Sequence, residues 1–152
     1  MEYRALLLLH ILAGAAWVGG AIVIEATVFA ARRSQSPGAV DRVLQSFRWA
    51  DTWLAIGAPL LVVVTGVAMV LLSGSWTFEQ AWILGSIGLV VAYEVTAMTV
   101  GGRIYRRIEL ARAEGLLDSP QHIVTMRQLG RLGVILLAIL IAVTGLMVFK
   151  PM

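Results

Sequence analysis

The fold of this chain is decided by its first long apolar stretch, residues 5–24, which reads ALLLLHILAGAAWVGGAIVI. The stretch contains no Asp, Glu, Lys or Arg. About 20 such residues of helix cross the hydrocarbon core of a bilayer. The apolar segment as a whole covers residues 3–31, and Glu25 is its only acidic residue. We therefore predict a transmembrane helix here.

Three further apolar segments of similar length follow, at residues 52–72, 79–101 and 127–149. Their unbroken apolar runs lack the alternation of polar and apolar residues that is typical of transmembrane β-strands. Ser119 and Pro120 supply a helix start ahead of the last segment. The predicted fold is all-α: an integral membrane four-helix bundle with antiparallel up-down topology, formed by one domain over residues 1–152.

The composition supports a membrane protein and argues against several other classes. Hydrophobic residues make up 59% of the chain and charged residues 14%. Soluble domains have roughly 45–50% apolar and about 25% charged residues. A soluble enzyme, a nucleic-acid-binding protein and a disordered tail are therefore disfavoured. The chain has no Cys, which excludes disulfides and thiolate metal sites.

Arginine residues are concentrated in two of the three connections between the predicted spans. The first and third connections are rich in Arg, whereas residues 73–80 contain no Lys or Arg. Short cytoplasmic loops carry the excess of Lys and Arg. We therefore predict that the first and third connections lie inside and that both termini lie outside. The expected location is the bacterial inner (plasma) membrane, with the chain as a multi-pass protein.

A short amphipathic helix is predicted over residues 37–50, within the first connection. Ser36 and Pro37 have the residue types that favour a helix start. The apolar residues of the segment recur at the spacing of one helix face: Val40, Val43, Leu44 and Phe47. Such a helix is expected to lie on the inner leaflet of the membrane.

The ionisable residues of the first predicted span share one helix face with small and aromatic residues. This face comprises His10, Gly14, Trp17, Ala21 and Glu25. Ionisable groups within a membrane are costly and usually face the interior of a bundle or a cavity. We therefore expect the face to point inward, where its small residues allow another helix or a flat ligand to approach closely.

A network of charged residues is predicted deeper in the bundle. Glu25 and Glu94 lie at similar depth on the first and third spans, and Arg127 and Arg131 are one turn apart at the start of the fourth helix. One interpretation is structural, because a buried ion pair can fix helix packing. The other is a proton path or an ion site. The spacing gives little support for a divalent metal site.

His10 also has two interpretations. It can hydrogen-bond a neighbouring helix, or it can be an axial ligand of haem iron in a pocket between helices. In the second case His10 is the metal ligand, Gly14 leaves room for the porphyrin, and Trp17 packs against it. Met69 is then a suitable sixth ligand. A symmetric dimer joining two copies of His10, or a five-coordinate site, are alternatives.

Four stretches of the chain carry a resemblance to known families. They are Leu-His-Ile at residues 9–11, Trp-Val-Gly-Gly at 17–20, Gly-Ala-Pro at 57–59 and Met-Val-Phe-Lys-Pro at 147–151. Together with the Arg-bearing first connection, they resemble the bacterial family called domain of unknown function 2269, which implies a four-helix membrane protein over nearly the whole chain.

The motif of the first span is also similar to two wider groups. These are the copper-resistance D-like membrane domain and the HemJ-type protoporphyrinogen oxidase, a small membrane haem protein. The second resemblance implies that His10 is a haem ligand and that Trp17 forms a wall of its pocket. The later His and Lys pattern of a HemJ-type enzyme is absent from this sequence. The copper-related resemblance leaves copper open as a metal.

Three functions follow as hypotheses, and whether the protein is an enzyme is left open. The first is a small membrane protein that binds haem b, for electron transfer, redox sensing or haem handling. The second is an oligomer that transports a proton, an ion or a small solute along the face of Glu25 and Glu94. The third is a structural accessory subunit of a membrane complex.

The expected partners are the lipid bilayer and either a second copy of the chain or a larger membrane complex, and nucleic acid is not among them. Four glycines provide surfaces for close helix approach in a homodimer: Gly19, Gly20, Gly85 and Gly88.

Overall fold

The computed structural model describes residues 2–34, 38–117 and 119–150, with the backbone alone at Asp51 and Thr52. Within these ranges the chain forms helices and no strand. The helices are α1 (Glu2–Arg33), α2 (Ala39–Thr52), α3 (Ala58–Leu72), α4 (Ala81–Thr96), α5 (Gly102–Ala113) and α6 (Pro120–Phe149). Two π turns, Trp53–Gly57 and Ala97–Gly101, join α2 to α3 and α4 to α5.

The first π turn joins α2 to α3 and the second joins α4 to α5, and the four candidate spanning helices are Glu2–Arg33, Trp53–Leu72, Ala81–Ala113 and Pro120–Phe149. Four candidate spans, each long and apolar enough to cross a membrane, confirm the predicted fold class. α1 has 32 residues and α6 has 30. At 1.5 Å per residue a helix of this size is roughly 45 Å long, whereas the hydrocarbon core is about 30 Å thick. α1 and α6 therefore extend beyond the apolar layer.

The packing partners of the spanning helices follow from the contacts between elements. α1 packs against α3 and α2, α6 packs against α4 and α5, and α1 also packs against α6. The outward-facing residues are apolar: only 11% to 28% of the most apolar window of each spanning helix is buried within the protein. Helices whose apolar side chains face outward are the arrangement that the hydrocarbon core of a bilayer favours.

The interior contains two separate hydrophobic cores. The first core comprises Ala13, Trp17, Ala58, Val62, Val90, Tyr93, Leu140 and Val143. The second core comprises Ile104, Ile108, Leu129 and Leu132, and lies between α5 and α6. The second core is at the end of the bundle that carries α2, α5 and the start of α6, which we call the arginine-rich end. Leu136 packs against both cores.

Local sequence explains several helix boundaries. Ser119 caps α6 by accepting the His122 backbone N–H at 3.2 Å, and Pro120 is the first helical residue, as the sequence predicted. Gly115 has a φ of 67°, a left-handed conformation that prevents the helix from continuing shortly after α5 ends at Ala113. Pro59 has no N–H for the carbonyl of Ala55, which favours the wider turn that precedes α3.

The predicted amphipathic helix is present as α2, but its setting differs from the expectation. Gly38 precedes it in a left-handed conformation, whereas the predicted start at Ser36 and Pro37 lies outside the described residues. α2 continues through the π turn into α3. Leu44, on its apolar face, packs against the second core. This apolar face is thus partly covered by protein rather than presented wholly to a leaflet.

An ion pair fixes α2 to α5 at the arginine-rich end. Arg112 donates from Nη2 and Nε to the two carboxylate oxygens of Asp41, at 2.8 and 3.2 Å. Asp41 is 92% buried, since its exposed fraction is 8%. Arg112 also donates to Glu109 at 2.6 Å. A bidentate pair of this kind holds two elements in one relative position.

Replacing Asp41 by Asn is expected to destabilise the protein by about 2 kcal/mol, because the neutral amide cannot accept both guanidinium N–H groups. Amide hydrogen exchange should become faster in α2 before it does so elsewhere. Thermal unfolding in detergent and hydrogen-exchange mass spectrometry measure these two effects.

Glu109→Gln is the matched control, since it removes the exposed partner of the same arginine. This change is expected to cost less than about 1 kcal/mol, as for other surface pairs. Equal effects of the two substitutions would show that Asp41 does not hold α2 in place.

Candidate functional site

A cavity of about 360 Å³ lies between the two hydrophobic cores, where all four spanning helices meet. Most of its wall is apolar, with Ile24, Val28, Leu54 and Leu136 among its residues. Its polar and aromatic wall residues are Trp17, Glu25, Arg32, Tyr93, Glu94 and Tyr105. An apolar cavity with a few convergent polar groups is the usual form of a small-molecule site.

Both π turns of the described chain contribute to the wall of this cavity. Ala55 and Ile56 come from the first turn, and Ala97, Met98 and Gly101 from the second. Single π turns within α-helices occur frequently at functional sites. Their position on two different spanning helices, against one cavity, marks this region as the candidate site.

Two charged residues of α1 enter the cavity wall beside glycines of α6. Glu25 and Arg32 are seven residues apart and so lie on one face of α1. The Glu25 carboxylate occupies the space where a Cβ of Gly133 would lie, and the Arg32 guanidinium occupies that of Gly130. Arg32 Nη2 also donates to the Met126 carbonyl at 2.8 Å. The glycines thus form a notch on α6 that receives both side chains.

Glu94 and Trp17 each place a buried polar atom at this cavity without a hydrogen-bond partner. These atoms are Glu94 Oε1 and Trp17 Nε1. The Trp17 ring packs edge to face on Tyr93, with ring centroids 5.0 Å apart. An unpaired buried polar atom costs on the order of 1–3 kcal/mol. The unmatched acceptor and donor therefore favour the binding of a group that can pair with them.

The predicted charge network is assembled only in part. Glu25 and Glu94 line one cavity, as their similar depth suggested. Arg127 and Arg131 are exposed and are not part of the cavity wall. The face of α6 that meets α1 carries Gly130 and Gly133 instead, and the cation at the cavity is Arg32. The sequence signal for Arg32 was its spacing of two turns from Glu25.

His10 lies at a different level, against α3. Its Nδ1 is 3.0 Å from Thr65 Oγ1, and a Cβ on Gly66 would meet its Cε1 at 3.2 Å. Thr65 Oγ1 donates its single proton to the Leu61 carbonyl at 2.6 Å, so Nδ1 is the donor to Thr65. This tautomer leaves the lone pair on Nε2. His10 thus makes the interhelical hydrogen bond that one interpretation of the sequence proposed.

The other residues named for a haem site are dispersed. Gly14 has open space at its Cβ position, and Met69 is buried on α3. Trp17 packs on Tyr93 and lines the cavity between the cores. His10 is not among the residues that line this cavity. Among the described residues, no group of three or more His, Asp or Glu residues could hold a metal ion.

A family model describes the chain almost from end to end. The model with the description "Predicted integral membrane protein (DUF2269)" matches residues 4–151. No curated protein and no solved structure matches the chain. The membrane fold thus has support from two independent sources, namely the family and the four apolar spans.

Replacing Gly133 by Ala tests the notch, because the new methyl group takes the place of the Glu25 carboxylate. The variant is expected to be about 1–2 kcal/mol less stable than Gly145→Ala, as for other changes that overpack an interior. Gly145 lies on the same helix and has nothing within 4 Å of its Cβ position, so its substitution reports only helix propensity. Thermal unfolding in detergent compares the two, and equal stabilities would contradict the notch.

Proposed function

We propose that this chain, which belongs to the DUF2269 family of predicted integral membrane proteins, binds and moves a proton or a small cation through the cavity between its spanning helices. The single observation that carries the proposal is the buried, unpartnered Glu94 Oε1 at a cavity that Glu25 also lines. Carboxylates inside a membrane typically mark ion pathways and proton relays.

The charges at the cavity favour a positively charged occupant. Two carboxylates line it, and Arg32 is the one Lys or Arg among its lining residues. The Arg32 guanidinium also donates one N–H to the Met126 carbonyl. The aromatic rings of Trp17 and Tyr93 add π faces, which attract cations. A bound cation offsets the cost of the unpaired Glu94 oxygen.

The position of the cavity at both π turns supports movement of a ligand rather than static packing. Glu94 lies shortly before the second π turn, and Leu54 and Ala55 of the first π turn line the same cavity. Transporters commonly place the binding site where spanning helices depart from regular α geometry. We place the arginine-rich end of the bundle at the inner face of a bacterial plasma membrane, by the distribution of Arg residues.

Haem binding at His10 is a second candidate, favoured by one observation. His10 donates from Nδ1 to Thr65, and a ligating imidazole almost always donates its other ring N–H in this way. His10 therefore fits as an axial ligand through Nε2, whereas Trp17 belongs to the other cavity. The haem would supply one-electron chemistry. His10 would hold it, and Thr65 would orient the imidazole.

A homodimer is part of the proposal, but only two of the four glycines considered in the sequence analysis remain as contact residues. Gly20 receives Leu54 and Gly85 receives Leu146 from within the same chain. Gly19 and Gly88 have nothing within 4 Å of their Cβ positions, so they are open to a second copy. Close approach at such glycines is typical of helix pairs in membranes.

Glu94→Gln is expected to reduce cation flux at least roughly tenfold, because a charge-assisted contact is worth about 1.5–3 kcal/mol. The measurement uses the full chain in liposomes, with a trapped pH-sensitive dye for protons and separate gradients of Na⁺ and tetramethylammonium. Wild-type protein should move at least one of these three probes.

Glu79→Gln is the control for this test, because Glu79 is exposed in the loop between α3 and α4. It should leave flux unchanged. Trp17→Phe keeps the aromatic ring but removes Nε1, and a change in ion preference is expected. Flux that is equal in wild-type and Glu94→Gln protein contradicts the proposal. Protein that neither conducts nor absorbs visible light favours the accessory-subunit hypothesis.

The absorption spectrum of the purified protein tests the haem candidate. A Soret band is expected if haem is bound, and His10→Ala should abolish it because the axial ligand is lost. His122→Ala should leave the band in place, since His122 is at the opposite end of the bundle. A colourless protein after haem addition, or a band that survives His10→Ala, removes His10 from this role.

A further inference from the structure

A second cavity, of about 620 Å³, lies at the arginine-rich end beside the turn from α5 to α6. Among the described residues, the charged residues in its wall are Arg107, from α5, and Glu114, which directly follows α5. From α6 it is lined by Ser119, Gln121, His122, Thr125 and Gln128. We infer that this cavity binds a phosphate group that carries a neighbouring ammonium group, as in a phosphoethanolamine headgroup. The inference is independent of cation movement in the other cavity.

His122 is the residue that distinguishes this cavity from an ordinary depression of the protein surface. Its exposed fraction is 8%, and its Nδ1 has no hydrogen-bond partner. The backbone N–H of His122 donates to Ser119 Oγ, so the group of His122 without a hydrogen-bond partner is the ring nitrogen and not the backbone. A buried ring nitrogen without a partner is costly. A ligand with hydrogen-bonding groups relieves that cost.

The phosphate end of the ligand follows from the start of α6 and from Arg107. α6 has 30 residues, and its first turn, with Ser119, Pro120 and Gln121, forms part of the cavity wall. The N-terminus of a long helix carries partial positive charge and favours phosphate. Arg107 faces it from α5, and a guanidinium forms paired hydrogen bonds with phosphate oxygens.

The ammonium end follows from Glu114. Arg107 lies on α5, Glu114 directly follows the end of that helix, and both line the cavity. Both side chains are exposed, so a zwitterionic headgroup can pair its phosphate with Arg107 and its ammonium group with Glu114. Leu110, Leu116 and Val124 supply apolar walls between the charges, suited to short carbon chains. The charge pattern therefore selects a phosphate with an attached amine.

Calorimetry on the full chain in detergent tests the inference with two soluble probes, O-phosphoethanolamine and inorganic phosphate. Phosphoethanolamine is expected to bind more tightly. Arg107→Gln should weaken both probes at least roughly tenfold, in line with the loss of charge-assisted hydrogen bonds. Glu114→Gln should remove the preference for phosphoethanolamine while phosphate binding persists.

Arg106→Gln is the matched control, because Arg106 is the neighbouring exposed arginine and does not line the cavity. Its affinity for both probes should equal that of the wild type. His122→Ala should weaken binding, and Arg107→Lys should restore part of the affinity lost in Arg107→Gln, which separates ligand binding from folding. Equal effects of Arg106→Gln and Arg107→Gln, or preference for phosphate alone, overturn the inference.

Native mass spectrometry with lipids identifies the source of the headgroup. Phosphatidylethanolamine should remain bound in preference to phosphatidylcholine, because a quaternary ammonium has no N–H to donate to Glu114. Lipid binding that depends on Arg107 supports a lipid headgroup, and binding of the soluble probe alone supports a free ligand. If neither form binds to wild-type protein, the inference is wrong.

Discussion

The structure depends on one constraint: hydrocarbon offers no hydrogen-bond partner, so a polar group inside the spans must find its partner within the protein or in a bound ligand. α1 carries His10, Glu25 and Arg32, and each meets a feature of another helix. His10 bonds to Thr65, and the two charged side chains enter the notch formed by Gly130 and Gly133. These contacts set how α1 lies against α3 and α6, and hence where the cavity forms.

The same constraint separates packing from function along the bundle. The first and second hydrophobic cores pack apolar residues of the helices against one another. The region between them is where charges, an open cavity and two π turns occur together. Real proteins concentrate such local departures at functional sites. The charged residues of this cavity are therefore better explained by a ligand than by stability.

Much of the fold could be predicted from the sequence, because the length and purity of an apolar segment directly reflect the thickness of a bilayer. The shared depth of Glu25 and Glu94 followed from counting residues along helices. The rotation of α6 about its own axis does not follow from counting residues, so the predicted charge network included Arg127 and Arg131, whereas the arginine that lines the cavity is Arg32. The two π turns were also not predicted from the sequence, because Pro59 gives a signal for the first turn only. Each π turn changes which residues share a helix face.

The π turn at Trp53–Gly57 limits which insertions and deletions this part of the chain can accept. A π turn holds one residue more than the α-helical turn it replaces. Losing a single residue there, with the helix then regular, would rotate α2 by about 100° relative to α3. Asp41 would turn away from Arg112, and Leu54 away from Gly20. Insertions and deletions within Trp53–Gly57 should therefore be tolerated far less well than substitutions, although this turn contains no charged residue.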